Sequence, residues 1–397
     1  MTLETPTRLE PMRLSTVPEH TAGLIAELSA SSARLGHGLH AQSAANLADL
    51  VRVMNAYYTN LIEGHHTRPR DIERAMSGDL DAEGPRRDLQ LEAAAHVRLQ
   101  ATLDKLAIND ALPEPASKDF LSQLHRDFYT DAPESMLIIE GTSSTFLMTP
   151  GEWRSHAKHD VSVGRHVPPS SKVVGSFMQR FSDVYRLETI KLGQRLMLIP
   201  VAHHRFNYIH PFPDGNGRVS RLMSHAMVQW AGVGAHGLWS VSRGLARGLE
   251  SRTEYSRMMD HADSPRQGDL DGRGNLSEKA LQEFTQWFLE VCLDQVEFMS
   301  GLFDLNRLDA RYERLVASHD SLKPEASALL KEALRSGQFE RGQASRITGL
   351  PARTAQRVLQ DVIAEGLLAS TTPKGPVSLR FPSSTLDSLF PRLYSEV

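Results

Sequence analysis

The sequence predicts a mainly α-helical protein with one short β-hairpin and a small helix-turn-helix module near its C-terminal end. Three patterns carry that expectation. Apolar residues recur at helical spacing before residue 210 (Leu192, Leu196, Ile199, Ala202, Phe206) and after residue 217 (Val219, Leu222, Met223, Ala226, Met227, Trp230). Another run, Leu47, Leu50, Val51, Met54, Tyr57 or Tyr58 and Leu61, repeats the same period. Between residues 343 and 365 two helical patterns flank the turn Thr348-Gly349-Leu350-Pro351.

The elements follow in order. Residues 1–20 are rich in Thr, Pro and Glu and are expected to be extended or disordered. Residues 21–115 read as an N-terminal helical region, broken at Gly36-His37-Gly38 and along the polar stretch 77–86. Its strongest helix, over 44–63, closes on Glu63, with Gly64 placed as a left-handed cap. A carboxylate in a last turn faces the negative end of the helix dipole, which disfavours it unless a cation lies nearby.

A core domain is expected over 116–310, opening with a helix around 118–130. Short β-prone pieces between Gly and Pro, from Gly141-Thr142-Ser143-Ser144 through Pro150–Arg154, Val161 and Val163 to Val167-Pro168-Pro169, predict a hairpin within 141–168. The helix before residue 210 should end near Tyr208, because Pro211 cannot continue it. Ser240–Ala262 reads as one further helix, residues 264–275 as a polar structural loop, and 277–305 as a closing helix with Phe284, Trp287, Phe288 and Val291 in the core.

The last module spans 320–385. Leu329, Leu330, Ala333 and Leu334 open its first helix. The helices at 343–347 and 352–365 come next, and two strands around Leu367–Ala369 and Val377–Phe381 follow.

With 397 residues the chain can form two or three domains. Its hydrophobic content of 40%, charged content of 23% and net charge of −4 are those of an ordinary globular protein. They exclude a global electrostatic pull toward nucleic acid or acidic membranes. The one cysteine, Cys292, lies in an apolar stretch; it reads as a core thiol and suits a reducing cytoplasm. Residues 1–20 lack the charged start and apolar core of a signal peptide, and no apolar run is long enough for a membrane span. His65-His66 and His203-His204 have no metal-ligand spacing, so no transition-metal site is expected.

The chemistry concentrates in His210-Pro211-Phe212-Pro213-Asp214-Gly215-Asn216-Gly217-Arg218-Val219-Ser220-Arg221. His210 can act as a general base near neutrality. Asp214 offers Mg²⁺ a hard oxygen ligand. Gly215, Asn216 and Gly217 let backbone amides face one side and lead into a helix N-terminus, where orphan N–H groups attract phosphate. Arg218 and Arg221 lie three residues apart on one face and can clamp phosphate oxygens. Two cations at the positive end of a helix dipole make sense if an anion normally sits between them.

This run resembles the signature of the Fic family, His-x-Phe-x-[Asp/Glu]-Gly-Asn-Gly-Arg-x-x-Arg, without departure at any signature position. The resemblance implies a Fic-type helical core with a β-hairpin flap that docks a target segment as an added strand. It also implies transfer of AMP from ATP, with Mg²⁺, to a Ser, Thr or Tyr hydroxyl of a target protein. In the family the matching residues serve as base (His210), Mg²⁺ ligand (Asp214), anion cradle (Gly215 to Gly217) and phosphate clamps (Arg218, Arg221). Thr59-Asn60-Leu61-Ile62-Glu63-Gly64 resembles the inhibitory motif [Ser/Thr]-x-x-x-Glu-[Gly/Asn] of braked Fic proteins. That resemblance implies that Glu63 pairs with Arg221 and blocks productive ATP binding.

Tyr255 matches the family's adenine-holding aromatic, whereas the expected asparagine falls at Ala262, followed by Asp263. The final module resembles the winged helix often appended to Fic proteins. Five basic residues (Arg346, Arg353, Arg357, Lys374, Arg380) against two acidic (Asp361, Glu365) permit DNA contact there, and equally a protein contact or a homodimer. Two other functions stay open at this stage. One is removal of AMP from a modified protein with Glu63 near a water. The other is a DNA-binding regulator with a nucleotide-sensing core.

Overall fold

A computed structural model describes residues 4–82, 84–140, 145–162 and 166–394. The chain is mainly helical, with two small antiparallel sheets, and divides into two compact units. Unit 1 comprises residues 1–32 and 55–296; unit 2 comprises 33–54 and 297–397. All three cuts fall inside helices, so these units differ from the expected segments 21–115, 116–310 and 320–385. Compactness follows contacts in space, and residues 33–54 cluster with the C-terminal part of the chain although they are distant from it in sequence.

Unit 1 contains most of α1 (Glu19–Arg34), the second part of α2 (Ala41–Ile62), α3 (Pro69–Met76), α4 (Pro85–Ile108) and α5 (Lys118–Phe128). The expected breaks at 36–38 and 77–86 are present, and Gly64, at φ 82°, caps the end of α2. A one-turn helix α6 (Glu134–Leu137) then runs into strand β1 (Ile138–Glu140). This strand pairs antiparallel with β2 (Thr145–Leu147), Ile138 opposite Leu147 and Ile139 opposite Phe146.

The hairpin therefore sits earlier than predicted. Residues 141–144, between the two strands, lie outside the described residues, as does Val163. Residues 149–162 form no strand; they hold a single 3-10 turn at Ala157–His159. Within this segment, buried Arg154 donates to the carbonyls of Pro169 and Ile209.

At the centre, α8 (Leu192–Ile209) packs along α9 (Asn216–Trp230). Leu196, Ile199, Ala202, Phe206 and Ile209 on α8, and Val219, Leu222, Met223, Ala226 and Met227 on α9, are all buried. Helices α4 and α5 pack on α9, and α7 (Val174–Val184) packs on α8. The expected helix 240–262 is two helices, α10 (Ser242–Arg247) and α11 (Glu254–Ala262). Gly248 leaves the helix at φ 65°, and the Glu254 carboxylate accepts the N–H groups of Leu249 (2.6 Å) and Glu250 (3.2 Å) in the gap. The closing helix α12 (Glu278–Phe303) buries Phe284, Trp287, Phe288, Val291 and Cys292, whose thiol burial pushes upward in pKa.

The segment 1–20 corrects its compositional reading. It forms a 3-10 turn at Pro6–Leu9, and Leu9 and Met12 are buried. Arg205, itself buried on α8, donates to the Pro11 carbonyl (2.8 Å), and the Tyr185 hydroxyl donates to that of Met12 (2.8 Å). Composition could not show those distant donors.

Unit 2 holds the first part of α2, the end of α12, α13 (Leu305–Ala317) and α14 (Ala326–Ser336). Strand β3 (Gln338–Phe339), helices α15 (Ala344–Thr348) and α16 (Ala352–Ala364), strands β4 (Leu368–Ala369) and β5 (Val377–Leu379), and the one-turn α17 (Leu386–Leu389) complete it. Ala355, Val358, Leu359 and Val362 give α16 its buried face. The sheet has order β3-β5-β4, so a third strand joins the two expected ones; two residues are too few to show an alternating pattern. Among the described residues no helix is long and apolar enough to cross a membrane.

Candidate active site

Helix α8 ends where Pro211 forbids its continuation. His210 caps it in the left-handed region (φ 48°, ψ 60°), its N–H donating to the Phe206 carbonyl at 3.0 Å. That backbone state is costly for a residue with a Cβ and needs support from its surroundings. Arg154 supplies it. Its Nε donates to the His210 carbonyl (2.7 Å), one terminal nitrogen to those of Ile209 (3.2 Å) and Pro169 (2.9 Å), and its backbone N–H to that of Pro211 (2.8 Å).

The loop that follows is locked from within. Phe212 is fully buried, stacked on His125 at 3.8 Å between ring centroids and tilted against Trp153 at 4.5 Å. Asn216 closes the loop on itself: its Oδ1 accepts the Phe212 N–H (2.9 Å) and its Nδ2 donates to the Phe212 carbonyl (2.8 Å). The Asn216 side chain is thus engaged inside the loop, and what it offers an anion is its backbone N–H. Gly215 takes φ 75°, and a Cβ there would meet the Tyr129 hydroxyl at 2.8 Å. Asn216, Gly217 and Arg218 then bring the unpaired amides of the α9 N-terminus to one place.

Four charged groups converge on that helix end. The Asp214 carboxylate accepts from the Tyr129 hydroxyl (2.9 Å) and from Arg218 (3.0 Å). Burial opposes its ionisation, but Arg218, the Gly215 N–H and the Tyr129 hydroxyl outweigh burial and hold it below the usual carboxylate range. Arg218 also pairs with Glu92 of α4. Arg221 donates from Nε to the Thr59 hydroxyl (2.6 Å) and from a terminal nitrogen to Glu63 (2.5 Å). Burial raises the Glu63 pKa, yet Arg221 and then Arg218 leave it lower than normal overall. A Cβ on Gly217 would lie 2.5 Å from Glu63 Oε1, so the carboxylate rests against the first turn of α9. It occupies the place a helix N-terminus holds for an anion.

His210 differs from these in having no partner for its ring among the described residues. Burial, with Arg154 and His166 nearby, pushes its imidazole down to about 4, so at neutral pH it is unprotonated and able to accept a proton. His203, also buried and lowered to about 3 chiefly by burial, is fully engaged: Nδ1 with Ser224 (2.9 Å) and Nε2 with the Tyr255 hydroxyl (2.8 Å). Tyr255 therefore sits with its hydroxyl inside, its ring stacked parallel to Trp287 at 6.3 Å. Ala262 is fully buried. Asp263 beside it accepts from His166 (3.1 Å) and His204 (3.0 Å) and lines a cavity of about 880 Å³ with Arg8, Tyr208, Arg257, Asp260 and His261.

Residues 115–228 match the family model described as Fic/DOC family. The chain carries a Fic domain. Two curated relatives, each named protein adenylyltransferase Fic, come from Drosophila willistoni (39% identical over 82 residues) and Drosophila erecta (38% over 82 residues). Those alignments cover 21% of this chain and 16% of each relative, so the chain spans about a sixth of their length. Among solved structures, a Fic family protein from Desulfovibrio desulfuricans superimposes with TM-score 0.54 at 17% identity, over 92% of this chain and 98% of that one. A Fic domain containing signaling protein from Bacteroides thetaiotaomicron gives 0.52 at 17%, over 70% and 95%. These likenesses show the fold.

The fold brings together all the loop residues singled out in the sequence, and Glu63 with them. Sequence reading missed Arg154, Tyr129, His125 and Glu92. Each lies on another element and meets the loop only through the fold, and nothing in its local pattern marks it. No group of three or more His, Cys, Asp or Glu arranged to hold a metal occurs among the described residues. The partly exposed Asp214 carboxylate suits an ion that takes its remaining ligands from phosphate and water, as Mg²⁺ does.

Proposed function

We propose that this protein is an ATP-dependent protein adenylyltransferase held in a braked state. The observation that carries the reading is the convergence of an unpartnered neutral imidazole, a carboxylate and two arginines on one helix N-terminus already filled by the Glu63 carboxylate. A triphosphate fits that charge pattern, with its oxygens on the α9 amides, Arg218 and Arg221. His210 takes the proton of a target Ser, Thr or Tyr hydroxyl, whose oxygen attacks the α-phosphorus and expels pyrophosphate. Asp214 would hold Mg²⁺, which supplies charge neutralisation at the phosphates when bound. The hairpin offers an edge for a target segment, with Ile138 and Leu147 exposed. Next to His210's helix, the cavity lined by Asp263 and Tyr208 has room for the nucleoside.

In this reading Glu63 keeps Arg221 from the nucleotide. Its removal exchanges a fixed internal anion for a diffusible one. The α14–β5 region supports a winged-helix reading, with Arg353 and Arg357 exposed on α16. Mass spectrometry of the protein after incubation with ATP and Mg²⁺ tests the proposal. One AMP added to itself or to a protein of a cell lysate supports it; no adduct from the Glu63→Gly variant refutes it.

A further inference from the structure

Arg218 is held more elaborately than a surface phosphate clamp needs to be. Its guanidinium lies 5.2 Å from the Phe128 ring centroid and 5.8 Å from that of Tyr129. One terminal nitrogen meets Asp214 and the other Glu92, while Nε is buried with no hydrogen-bond partner among the described residues. Glu92 itself is buried on α4, and its second oxygen accepts from His65 Nδ1 at 3.1 Å. His65 stands two residues after Glu63.

We infer that Glu92 is a positioning residue for Arg218, and that His65 ties it to the chain that carries the brake. A guanidinium has five N–H donors in a rigid fork. With Glu92 and Asp214 fixing its two terminal nitrogens, the fork cannot swing, and each terminal nitrogen keeps a second N–H for a phosphate oxygen. Glu92 therefore orients the clamp without occupying the donor needed for the ligand. The same carboxylate, through His65, links the Arg218 clamp to the segment Thr59–His65 that holds Arg221 directly. Residues 59–65 thus hold Arg221 directly and reach Arg218 through Glu92. His65 is faced by Glu92, Glu63 and Arg218, and its hydrogen bond to Glu92 is the largest influence raising its pKa.

The assignment rests on the nucleotide reading above, so the test has one arm that needs no nucleotide. In the Glu63→Gly background, calorimetry with Mg-ATP should show affinity about tenfold weaker for Glu92→Ala, the worth of one charge-assisted hydrogen bond. The near-isosteric Glu92→Gln keeps an acceptor for Arg218 and should fall between parent and Ala. Unchanged or tighter binding in both variants overturns the positioning role. In the otherwise native chain, the His65 ring titration followed by NMR should move to lower pH in Glu92→Gln, and an unmoved midpoint overturns the link. A Glu63→Gly parent that binds no Mg-ATP sinks the nucleotide reading, while the titration still decides the link.

Discussion

Two stretches of chain meet at this site, and each looks wrong alone. The first turn of α9 carries Arg218 and Arg221 at the positive end of a helix dipole. The end of α2 carries Glu63 at the negative end of another. Brought together, the carboxylate pairs with Arg221 and rests against the first turn of α9, so two local misfits become one satisfied site. They differ in what a ligand can replace. The cations, the cradle and His210 are built into the core between α8 and α9, whereas the Glu63 side chain keeps 30% of its surface exposed at a helix terminus. In the function proposed above, the acidic member is the exchangeable one.

The largest test removes the built-in side. His210→Ala in the Glu63→Gly background should lower AMP transfer by about 10²- to 10⁴-fold, the usual worth of a positioned base, while Mg-ATP still binds. Labelled ATP and calorimetry read the two separately. Retained transfer would take His210 out of the chemistry.

Removing the exchangeable side should act in the opposite direction. Glu63→Gly should raise self-labelling by about 5- to 150-fold, the range of a typical coupling between sites. Labelling no faster than in the parent chain would mean that the Glu63–Arg221 pair is structural.

The pH profile sharpens the same contrast. Burial lowers His210 to about 4, below the ordinary imidazole, so lowering pH from neutrality should leave the base unprotonated until that value is approached. In Glu63→Gly, loss of a nearby anion that favours the imidazolium shifts the limb lower still. Accordingly kcat/KM should stay level from pH 7 to 6. An acid limb centred at the free-imidazole value would contradict the burial of this ring.

The smallest expected effect comes from the support of Asp214. Tyr129→Phe deletes one hydrogen bond to its carboxylate and should cost about 0.5–1.5 kcal/mol of stability. Thermal unfolding would read the loss. Since the hydroxyl helps hold Asp214 ionised, its pKa should rise in the variant, and an NMR titration showing no rise would remove Tyr129 from the account.

Long periodic helices were legible in the sequence because their buried faces repeat: α2, α8, α9, α12 and α16 all lie within a few residues of where apolar spacing puts them. Short or irregular pieces were not. The hairpin formed ahead of its prediction, and Arg154 instead bonds to the carbonyls of Pro169 and Ile209, partners that no local pattern reveals. One predicted helix broke at Gly248, where the Glu254 carboxylate satisfies the freed amides.

By itself the sequence determined the chemistry of the loop 210–221. Proline, paired glycines and helical spacing impose a turn feeding a helix start, whatever surrounds them. It also marked Glu63 as a carboxylate at the wrong end of a helix. Only the tertiary structure decided that this carboxylate reaches Arg221, that Glu92 takes Arg218, and that among the described residues His210 is left without a ring partner while His203 is not. Those outcomes depend on which distant side chains share a buried space. Hydrogen bonds and ion pairs are directional and of short range, so they are set by packing rather than by neighbours along the chain.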